Sequence, residues 1–308
     1  MTDLILQGDA FKVLKDLPDG SVDLVVTSPP YYGLRDYGLG KNALGNEVNP
    51  DDYVKKLVGL FCGEVHRVLK KTGSMYLNLG DKYYCSQMGF HRSNIKKYQR
   101  SIHAHYGKMP ALPAKASNYR QNKQLLQLPS AISLGLQRDN WILRNRLIWI
   151  KGLTFKSSNG VTNPANDRFM TKSEEEILFL VKNPHYFFQK QENSALRRGQ
   201  FPGVRVSGSL IFCQRERYKS KHQGSFPEKL IEPFIRISSK PGDLVLDPFS
   251  GSGTVALVAK KLGRRFCGIE LSKKYCTESR QRLDTQYPDG VVFTVKKERI
   301  AISKSLNS

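Results

Sequence analysis

The hydrophobic positions of the chain form short runs that alternate with helical stretches. Apolar runs predict strands near residues 4–6, 22–27, 74–79, 147–150, 177–181, 244–247 and 266–270. Residues 53–70 instead repeat apolar side chains at helical spacing, from Leu57 and Leu60 to Val65 and Val68. Because strands alternate with helices, the pattern favours an α/β fold around a mostly parallel sheet.

Positive charge is concentrated in two segments that interrupt this alternation. The chain carries 49 Lys and Arg against 27 Asp and Glu, a formal net charge of +22. Residues 82–138 contain ten basic residues and no acidic one, and residues 185–223 contain eight basic and two acidic residues. Aromatic side chains interleave with the charges of the first segment, which suits contact with nucleic acid. The pattern favours a polyanionic partner, with solvated loops or a merely basic, ribosome-associated protein as the alternatives.

Several other classes of protein are not indicated. The chain begins without a basic stretch followed by an apolar one, and no apolar run approaches the length of a membrane span, so no secretory signal and no membrane contact are expected. The five cysteines are scattered without a CxxC pair. They predict free thiols in a reducing cytoplasm and no metal site.

A glycine-rich turn follows the predicted strand at 244–247, with the sequence DPFSGSGT over residues 247–254. Glycines let the backbone approach a ligand closely, and the helix that follows favours a carboxylate or phosphate at its N-terminus. Glu270 ends the next predicted strand, where an acidic side chain can accept both hydroxyls of a ribose. Phosphate binding is the competing interpretation, but no GK[ST] sequence follows the glycines.

A second motif, TSPPY over residues 27–31, follows the predicted strand at 22–27. Open α/β sheets place their chemistry at such strand ends. The prolines lack N–H donors, so the segment offers a hydroxyl and free carbonyls as acceptors for an amino group, and Tyr31 offers a face for a planar base. Taken alone, the motif could equally be a Pro-Pro turn that leaves a strand.

Taken with the rest of the chain, TSPPY resembles the catalytic motif of DNA amino-methyltransferases from restriction–modification systems. DPFSGSGT resembles the cofactor loop of that family, and its position after TSPPY resembles the permuted arrangement called the β group. Five further segments resemble the family in order: QGDA at 7–10, LNLGD at 77–81, RLIWIK at 146–151, EEILFLVK at 175–182 with Asp167-Arg168 before it, and HQGSFPEKL at 222–230.

The resemblance implies a Rossmann-like α/β fold with a seven-stranded, mostly parallel sheet that contains one antiparallel strand. It implies S-adenosylmethionine as cofactor, S-adenosylhomocysteine as product, and no metal. The residues implied to hold the cofactor are Asp9, Ala10, Phe226, Asp247, Pro248, Phe249, Gly251, Ser252, Gly253, Thr254, Glu270 and Leu271. The residues implied to hold a flipped base are Ser28, Pro29, Pro30 and Tyr31, with the Ser28 hydroxyl and the Pro29 carbonyl accepting from its amino group.

The expected partner is double-stranded DNA, and a cognate restriction endonuclease is a candidate partner. Residues 1–81, 124–184 and 222–300 are expected to form the catalytic domain, 185–221 the target-recognition region, 82–123 a basic insertion that contacts DNA, and 301–308 a tail. The basic residues expected to contact DNA are Arg92, Lys96, Lys97, Arg100, Arg197, Arg198, Arg205, Arg215 and Arg217. No sequence feature decides between a monomer and a dimer.

The base and the polymer leave alternatives open. Within the family, Ser in the first motif position leans toward N4 of cytosine, whereas Asp or Asn leans toward N6 of adenine, so cytosine is favoured. No Pro-Cys pair occurs in the chain, which argues against C5 methylation. A methyltransferase of RNA or protein is less favoured because of the motif order and the basic segments. A catalytically silent DNA-binding protein would need neither TSPPY nor Glu270.

Overall fold

A computed structural model of this α/β protein describes residues 3–33, 43–47, 49–84, 124–151, 174–214 and 227–287. Its strands are β1 (Leu4–Gln7), β2 (Val22–Thr27), β3 (Leu69–Leu79), β4 (Ile142–Ile150), β5 (Glu174–Val181), β6 (Val204–Ser207), β7 (Leu210–Cys213), β8 (Leu244–Asp247) and β9 (Arg265–Glu270). Within the described residues they form one sheet in the order β1-β9-β8-β2-β3-β5-β4-β7-β6.

All seven predicted strands are present in this sheet. Among these seven, β5 alone runs antiparallel to its neighbours β3 and β4, so the expectation of one antiparallel strand is confirmed for them. The expected number of seven is too low, because β6 and β7 form a hairpin and β7 adds parallel to β4. Each hairpin strand has only four residues and lies in the basic segment, so its apolar signal was too short to separate from a loop.

Helices cover both faces of the sheet. They are α1 (Ala10–Val13), α2 (Pro50–Leu60), α3 (His66–Val68), α4 (Leu128–Arg138), α5 (Lys190–Arg197), α6 (Glu228–Ser238), α7 (Thr254–Lys261) and α8 (Lys273–Gln286). Alternate strand residues serve opposite layers: Val25 of β2 packs into the core that α2 and α4 cover, whereas Leu24 and Val26 pack into the core beneath α6 and α7. The expected α/β fold around a mostly parallel sheet is therefore confirmed.

The predicted helix at 53–70 begins earlier, contains an irregular turn and ends at Val68, because Leu69 and Lys70 belong to β3. Asn49 caps α2 by accepting from the Asp51 N–H at 3.2 Å, and Pro50 occupies the first turn, where its missing N–H costs no hydrogen bond. A π-helical turn at Phe61–Val65 joins α2 to α3. The Trp141 indole donates to the Phe61 carbonyl at 3.2 Å, which gives this turn a partner in the core. Within the described residues, no helix is long and apolar enough to cross a lipid bilayer.

Candidate active site

The two predicted motifs meet at one edge of the sheet. The strands β1, β9, β8, β2 and β3 are parallel neighbours, so their carboxyl ends lie side by side. Because β5 runs the other way, its first residues reach the same edge, and Lys151 follows the carboxyl end of β4 there. The topology thus brings together side chains that lie up to about 260 residues apart in the chain, as open α/β sheets do at their ligand sites.

The cofactor side of this edge is organised by Glu270 at the end of β9. Its two carboxylate oxygens accept from the Gly251 N–H at 2.9 Å and the Ser272 N–H at 2.7 Å. Partial burial raises the pKa of Glu270, although the backbone N–H groups oppose the shift. A carboxylate can accept about four hydrogen bonds, so two backbone donors leave capacity for a pair of ribose hydroxyls.

Asp9 lies beside Glu270, as the family resemblance requires. Gln7 pairs with Glu270 in the register of β1 and β9, and the Gly8 N–H donates to the Glu270 carbonyl at 2.9 Å. Asp9 caps α1 by accepting from the Phe11 N–H at 3.1 Å. Ala10 is buried, whereas Leu271 is exposed at the rim of the same edge. The donors and acceptors around Glu270 and Asp9 therefore fit the adenosine part of the expected cofactor.

At two positions, the glycine loop of residues 248–253 has a backbone conformation that only glycine adopts easily. Gly251 and Gly253 have φ of 51° and 78°, in the left-handed region. A Cβ at Gly253 would also lie 2.0 Å from the Ser279 hydroxyl oxygen on α8. Arg282, also on α8, donates to the Ser252 carbonyl at 2.7 Å and to the Thr254 hydroxyl at 3.3 Å. Buried Ser252 and Thr254 thus fix the loop against α8, while Gly251 and Phe249 stay partly exposed.

The two motifs are linked through buried Asp247. Its carboxylate accepts from the Thr27 hydroxyl at 2.7 Å, which joins the end of β8 to the residue that precedes Ser28. The same oxygen accepts from the Phe249 N–H at 3.0 Å, and Pro248 is buried between them. Burial raises the pKa of Asp247 to about 7. Asp247 therefore couples the cofactor loop to the TSPPY motif through one carboxyl group.

On the TSPPY side, Tyr31 is the centre of a polar network. Its hydroxyl lies 2.7 Å from Glu175 Oε2, 2.6 Å from Asn78 Nδ2 and 3.2 Å from Ser28 Oγ. Asn78 also donates to Glu175 at 2.6 Å. Burial and the Glu175 charge raise the pKa of Tyr31 well above its usual value, so the phenol stays protonated. Because the Tyr31 ring is partly exposed while its hydroxyl is held, the ring can serve as a fixed platform for a planar base.

Glu175 is a buried carboxylate with a buried cation beside it. Its side chain is 7% exposed and that of Lys151 is 10% exposed, and the Lys151 ammonium donates directly to Glu175 Oε1. Burial alone would raise the pKa of Glu175, but Lys151 and the donors Asn78 and Tyr31 hold it below its usual value. Lys151 also lies 5.3 Å from the ring centre of Trp149. The carboxylate is therefore charged at neutral pH.

Backbone and side-chain contacts hold the TSPPY segment from two sides. The Tyr53 hydroxyl of α2 donates to the Pro30 carbonyl at 2.9 Å. Gly80, just after β3, lies against the Tyr31 ring so closely that a Cβ there would be 2.5 Å from Tyr31 Cε2. Gly45 approaches the Tyr31 carbonyl, and buried Glu47 accepts from the Gly45 N–H at 2.8 Å. These contacts make the orientation of Tyr31 depend on residues from three other segments.

The predicted DNA contacts are only partly within the described residues. Arg197 and Arg198 lie at the end of α5, Arg205 lies on β6, and all three are exposed. The other predicted basic residues, together with the cofactor residue Phe226, lie outside the described residues, namely Arg92, Lys96, Lys97, Arg100, Arg215 and Arg217. Within the described residues no group of three or more potential metal ligands occurs.

The sequence predicted no individual role for Asn78, Glu175 or Lys151, although the segments that contain Lys151 and Glu175 resemble the stretch of the family that supports the target-base pocket. The motifs that contain these residues were recognised from the sequence. The position of Glu175 beside Tyr31, however, depends on the antiparallel direction of β5 in the sheet, which the motifs do not specify. One signal was available for Glu175. It stands in a run of three acidic residues that leads straight into the apolar stretch ILFLV, so one of the carboxylates had to enter the sheet.

The carboxylate of Glu270, the glycine loop and the Ser-Pro-Pro-Tyr segment lie at one edge of an open α/β sheet. This arrangement is typical of an enzyme that binds a nucleotide cofactor beside its substrate. Comparison with known proteins makes the class specific. The family described as DNA methylase, which comprises N6- and N4-methyltransferases, matches residues 22–281. The chain therefore belongs to this family and is a DNA amino-methyltransferase, as the motifs predicted.

Individual relatives agree with the family. The chain is 36% identical to the Type II methyltransferase M.XycI of Xanthomonas campestris pv. cyanopsidis, with 92% of this chain and 88% of the relative covered. It is 33% identical to the Type II methyltransferase M.SmaI of Serratia marcescens, covering 91% of this chain and 90% of the relative. These similarities confirm the restriction–modification type of DNA methyltransferase.

Solved structures share the fold. PvuII DNA methyltransferase, described as cytosine-N4-specific, superposes with a TM-score of 0.66 at 20% identity over 92% of this chain and 86% of that one. The protein TTHA0409 of Thermus thermophilus, in complex with S-adenosyl-L-methionine, gives a TM-score of 0.63 at 22% identity over 96% of this chain and 99% of that one. The predicted Rossmann-like fold is therefore confirmed.

Proposed function

We propose that this DNA amino-methyltransferase transfers the methyl group of S-adenosylmethionine to N4 of a flipped cytosine in duplex DNA. The observation that carries the choice of cytosine is Ser28, which occupies the first position of the SPPY motif and lies in the polar network of Tyr31. In the family that this chain resembles, Ser at this position leans toward cytosine. N6 of adenine is the second candidate, because both groups are exocyclic amines on flat rings.

The residues at the cofactor edge fit the methyl donor. Glu270 and Asp9 suit the ribose and the adenine, and the glycine loop with Phe249 suits the rest of the molecule. When bound, S-adenosylmethionine supplies an electrophilic methyl group on a sulfonium. Because Asp247 joins the glycine loop to Thr27, the cofactor loop and Ser28 are held in a fixed relation.

The base side of the reaction depends on hydrogen-bond acceptors. The Ser28 hydroxyl oxygen and the Pro29 carbonyl accept the two hydrogens of the amino group, and Tyr31 supports the ring. Accepting these hydrogens directs the nitrogen lone pair toward the methyl group and stabilises the positive charge that develops on nitrogen. No covalent enzyme intermediate is required, so positioning and electrostatic support provide the rate enhancement.

The first experiment identifies the methylated product. Duplex DNA is methylated in vitro with labelled S-adenosylmethionine, digested to nucleosides and measured by mass spectrometry, with RNA and protein substrates in parallel. N4-methylcytosine is expected. N6-methyladenine would keep the class of enzyme and overturn the assignment of cytosine from Ser28, whereas label in RNA or protein alone would overturn DNA as the substrate.

A matched pair of serine variants tests the role of Ser28. Ser28→Ala is expected to lower kcat by about 100-fold, because the acceptor for the amino group is lost. Ser21→Ala is the control, since the Ser21 hydroxyl bonds only the Pro18 carbonyl at 2.7 Å in the loop before β2. Unchanged turnover in Ser28→Ala would contradict the proposed mechanism.

We also propose that the segment 185–221 reads the target sequence and that the basic insertion 82–123 adds contacts to the phosphate backbone. The exposed Arg197, Arg198 and Arg205 support the first part, because they place positive charge on α5 and on the β6–β7 hairpin. Charge reversal at these arginines is expected to weaken DNA binding and to reduce its salt dependence. Reversal at Arg92, Lys96 and Lys97 tests the insertion by the same measurement, and unchanged affinity and salt dependence would assign it no contact.

The order of the motifs supports the permuted, β-group arrangement, since β2 with TSPPY precedes β8 with the glycine loop in the chain. A cognate restriction endonuclease remains a proposed partner. Cleavage protection tests it: DNA modified by this enzyme should resist an endonuclease that is encoded with it and that cuts unmodified DNA.

A further inference from the structure

The buried carboxylate of Glu175 is an unusual group for the interior of a sheet. It lies on β5 opposite Trp149 of β4, and it is 7% exposed. A buried charge costs folding free energy unless it is paired and hydrogen-bonded. Here the carboxylate is paired with Lys151, and it also accepts from the Tyr31 hydroxyl and the Asn78 amide, both in the candidate active site.

The Glu175 carboxylate determines the direction of the hydrogen bonds between Tyr31 and Ser28. An ionised carboxylate only accepts, so the single Tyr31 O–H points to Glu175 at 2.7 Å. Toward Ser28, 3.2 Å away, the Tyr31 oxygen can then only accept. The single Ser28 O–H is therefore donated to Tyr31. Asn78 Nδ2 lies 3.4 Å from the Ser28 oxygen and takes one of its two lone pairs, so the other lone pair is left for the substrate.

This direction matters for an amino group, which presents hydrogens. If the Tyr31 hydrogen were donated to Ser28 instead, the Ser28 hydrogen would be released and could point at the substrate. A donor facing a donor opposes binding of the amino group in the reactive orientation. Asn78 supports this direction, because its Nδ2 lies 2.6 Å from both the Tyr31 hydroxyl and Glu175 Oε2 and can only donate to them.

We propose that Glu175, held in place by Lys151, is a positioning residue that acts through Tyr31 to make Ser28 a pure acceptor for the amino group of the target base. The inference rests on the proposed function in requiring that Ser28 bind an amino group, and it applies equally to cytosine and adenine. Lys151 contributes by keeping a full negative charge at Glu175 in a buried position.

Glu175→Gln tests this directly, because the amide has the same shape but can donate to Tyr31 and reverse the order of hydrogen bonds. We expect the rate constant of single-turnover methylation, and with it the steady-state kcat, to fall by about tenfold or more. The steady-state KM for S-adenosylmethionine should stay unchanged. Glu176→Gln is the matched control: Glu176 is the next residue on β5, and its carboxylate pairs with Arg146 at 2.9 Å, away from Tyr31. Wild-type turnover in Glu175→Gln would overturn the proposal.

A double-mutant cycle with Tyr31→Phe separates positioning from a general structural effect. If Glu175 acts through Tyr31, adding Glu175→Gln to Tyr31→Phe should lower kcat by less than about twofold further. Independent, multiplying losses would overturn the proposal. Since Glu175→Gln removes the negative charge beside Lys151, the combination Glu175→Gln with Lys151→Met is measured beside it, and it should fold yet keep the loss of kcat.

The product formed by the wild-type enzyme tests the proposed function independently of the positioning role of Glu175. Absence of an amino-methylated base in DNA from the wild-type enzyme would refute the proposed function before any variant is compared. A normal wild-type product together with a fully active double variant of Glu175 and Lys151 would refute only the positioning role.

Discussion

Replacing Gly80 by alanine places one methyl group against the ring of Tyr31. A Cβ at this position would lie 2.5 Å from Cε2 and 2.6 Å from Cδ2 of the Tyr31 ring. The φ of Gly80 lies outside the left-handed region, so alanine adds no backbone strain there. Gly80→Ala therefore perturbs Tyr31 by contact alone.

The size of the effect follows from these distances. Carbon atoms pack at about 3.5–4.0 Å, so the ring has to move by about 1 Å. The Tyr31 hydroxyl, now 2.7 Å from Glu175 and 2.6 Å from Asn78, would then exceed the usual limit of about 3.2 Å for a hydrogen bond. We expect a loss of about 2 kcal/mol in unfolding free energy and about 100-fold in kcat.

The assay is single-turnover methylation of duplex DNA at saturating S-adenosylmethionine, with cofactor affinity measured by calorimetry. Affinity for the cofactor should stay within about twofold, because Glu270 and the glycine loop are untouched. Gly59→Ala is the matched control, since a Cβ at Gly59 on α2 meets nothing within 4 Å and should be neutral or stabilising. Full activity of Gly80→Ala would refute the argument that the orientation of Tyr31 limits the reaction.

Three further variants test other contacts. The pKa of Asp247 is raised from 3.8 to about 7, so its contribution to stability is complete below about pH 4 and is lost as pH rises to about 7. Between pH 5 and 8, Asp247→Asn should therefore gain stability relative to wild type, by an amount that grows with pH. Denaturant unfolding measures this difference. Gly253→Ala should cost about 2 kcal/mol or more, because it combines a φ of 78° with a contact of 2.0 Å, and Ser279→Ala should restore part of that loss in urea unfolding. Tyr53→Phe should cost about 1 kcal/mol and lower kcat severalfold, since the Pro30 carbonyl loses its donor, and an unchanged kcat would show that α2 does not position the motif.

The candidate active site contains two buried carboxyl groups, Asp247 on the cofactor side and Glu175 on the TSPPY side. Asp247 is joined to Thr27 and Phe249, and its carboxyl group is easily protonated because burial raises its pKa to about 7. Glu175 is equally buried but remains ionised, because Lys151 lies against it. Lys151, together with the donors Asn78 and Tyr31, thus keeps Glu175 charged near neutral pH, whereas burial leaves Asp247 only partly ionised there.

Local sequence determined the elements of this protein and the chemistry of its two motifs. The seven strand positions were readable because each is an apolar run bounded by turn or helix signals, as Leu244–Asp247 is by the glycine loop after it. Ser28, Tyr31 and Glu270 were proposed as site residues because each stands at or shortly after the end of such a run, within a motif that resembles the family. The β6–β7 hairpin was missed, because four-residue strands carry too little periodicity.

Only the tertiary structure decided which side chains meet at that edge. Glu175 reaches Tyr31 because β5 runs antiparallel between β3 and β4, and strand direction is set by pairing rather than by any local pattern. The link from Thr27 to Asp247 spans 220 residues, and the contact of Gly80 with Tyr31 depends on the packing of one strand end against the next. Sequence motifs specify the groups, whereas hydrogen-bond direction and burial, which give those groups their charge and orientation, arise only when distant segments pack together.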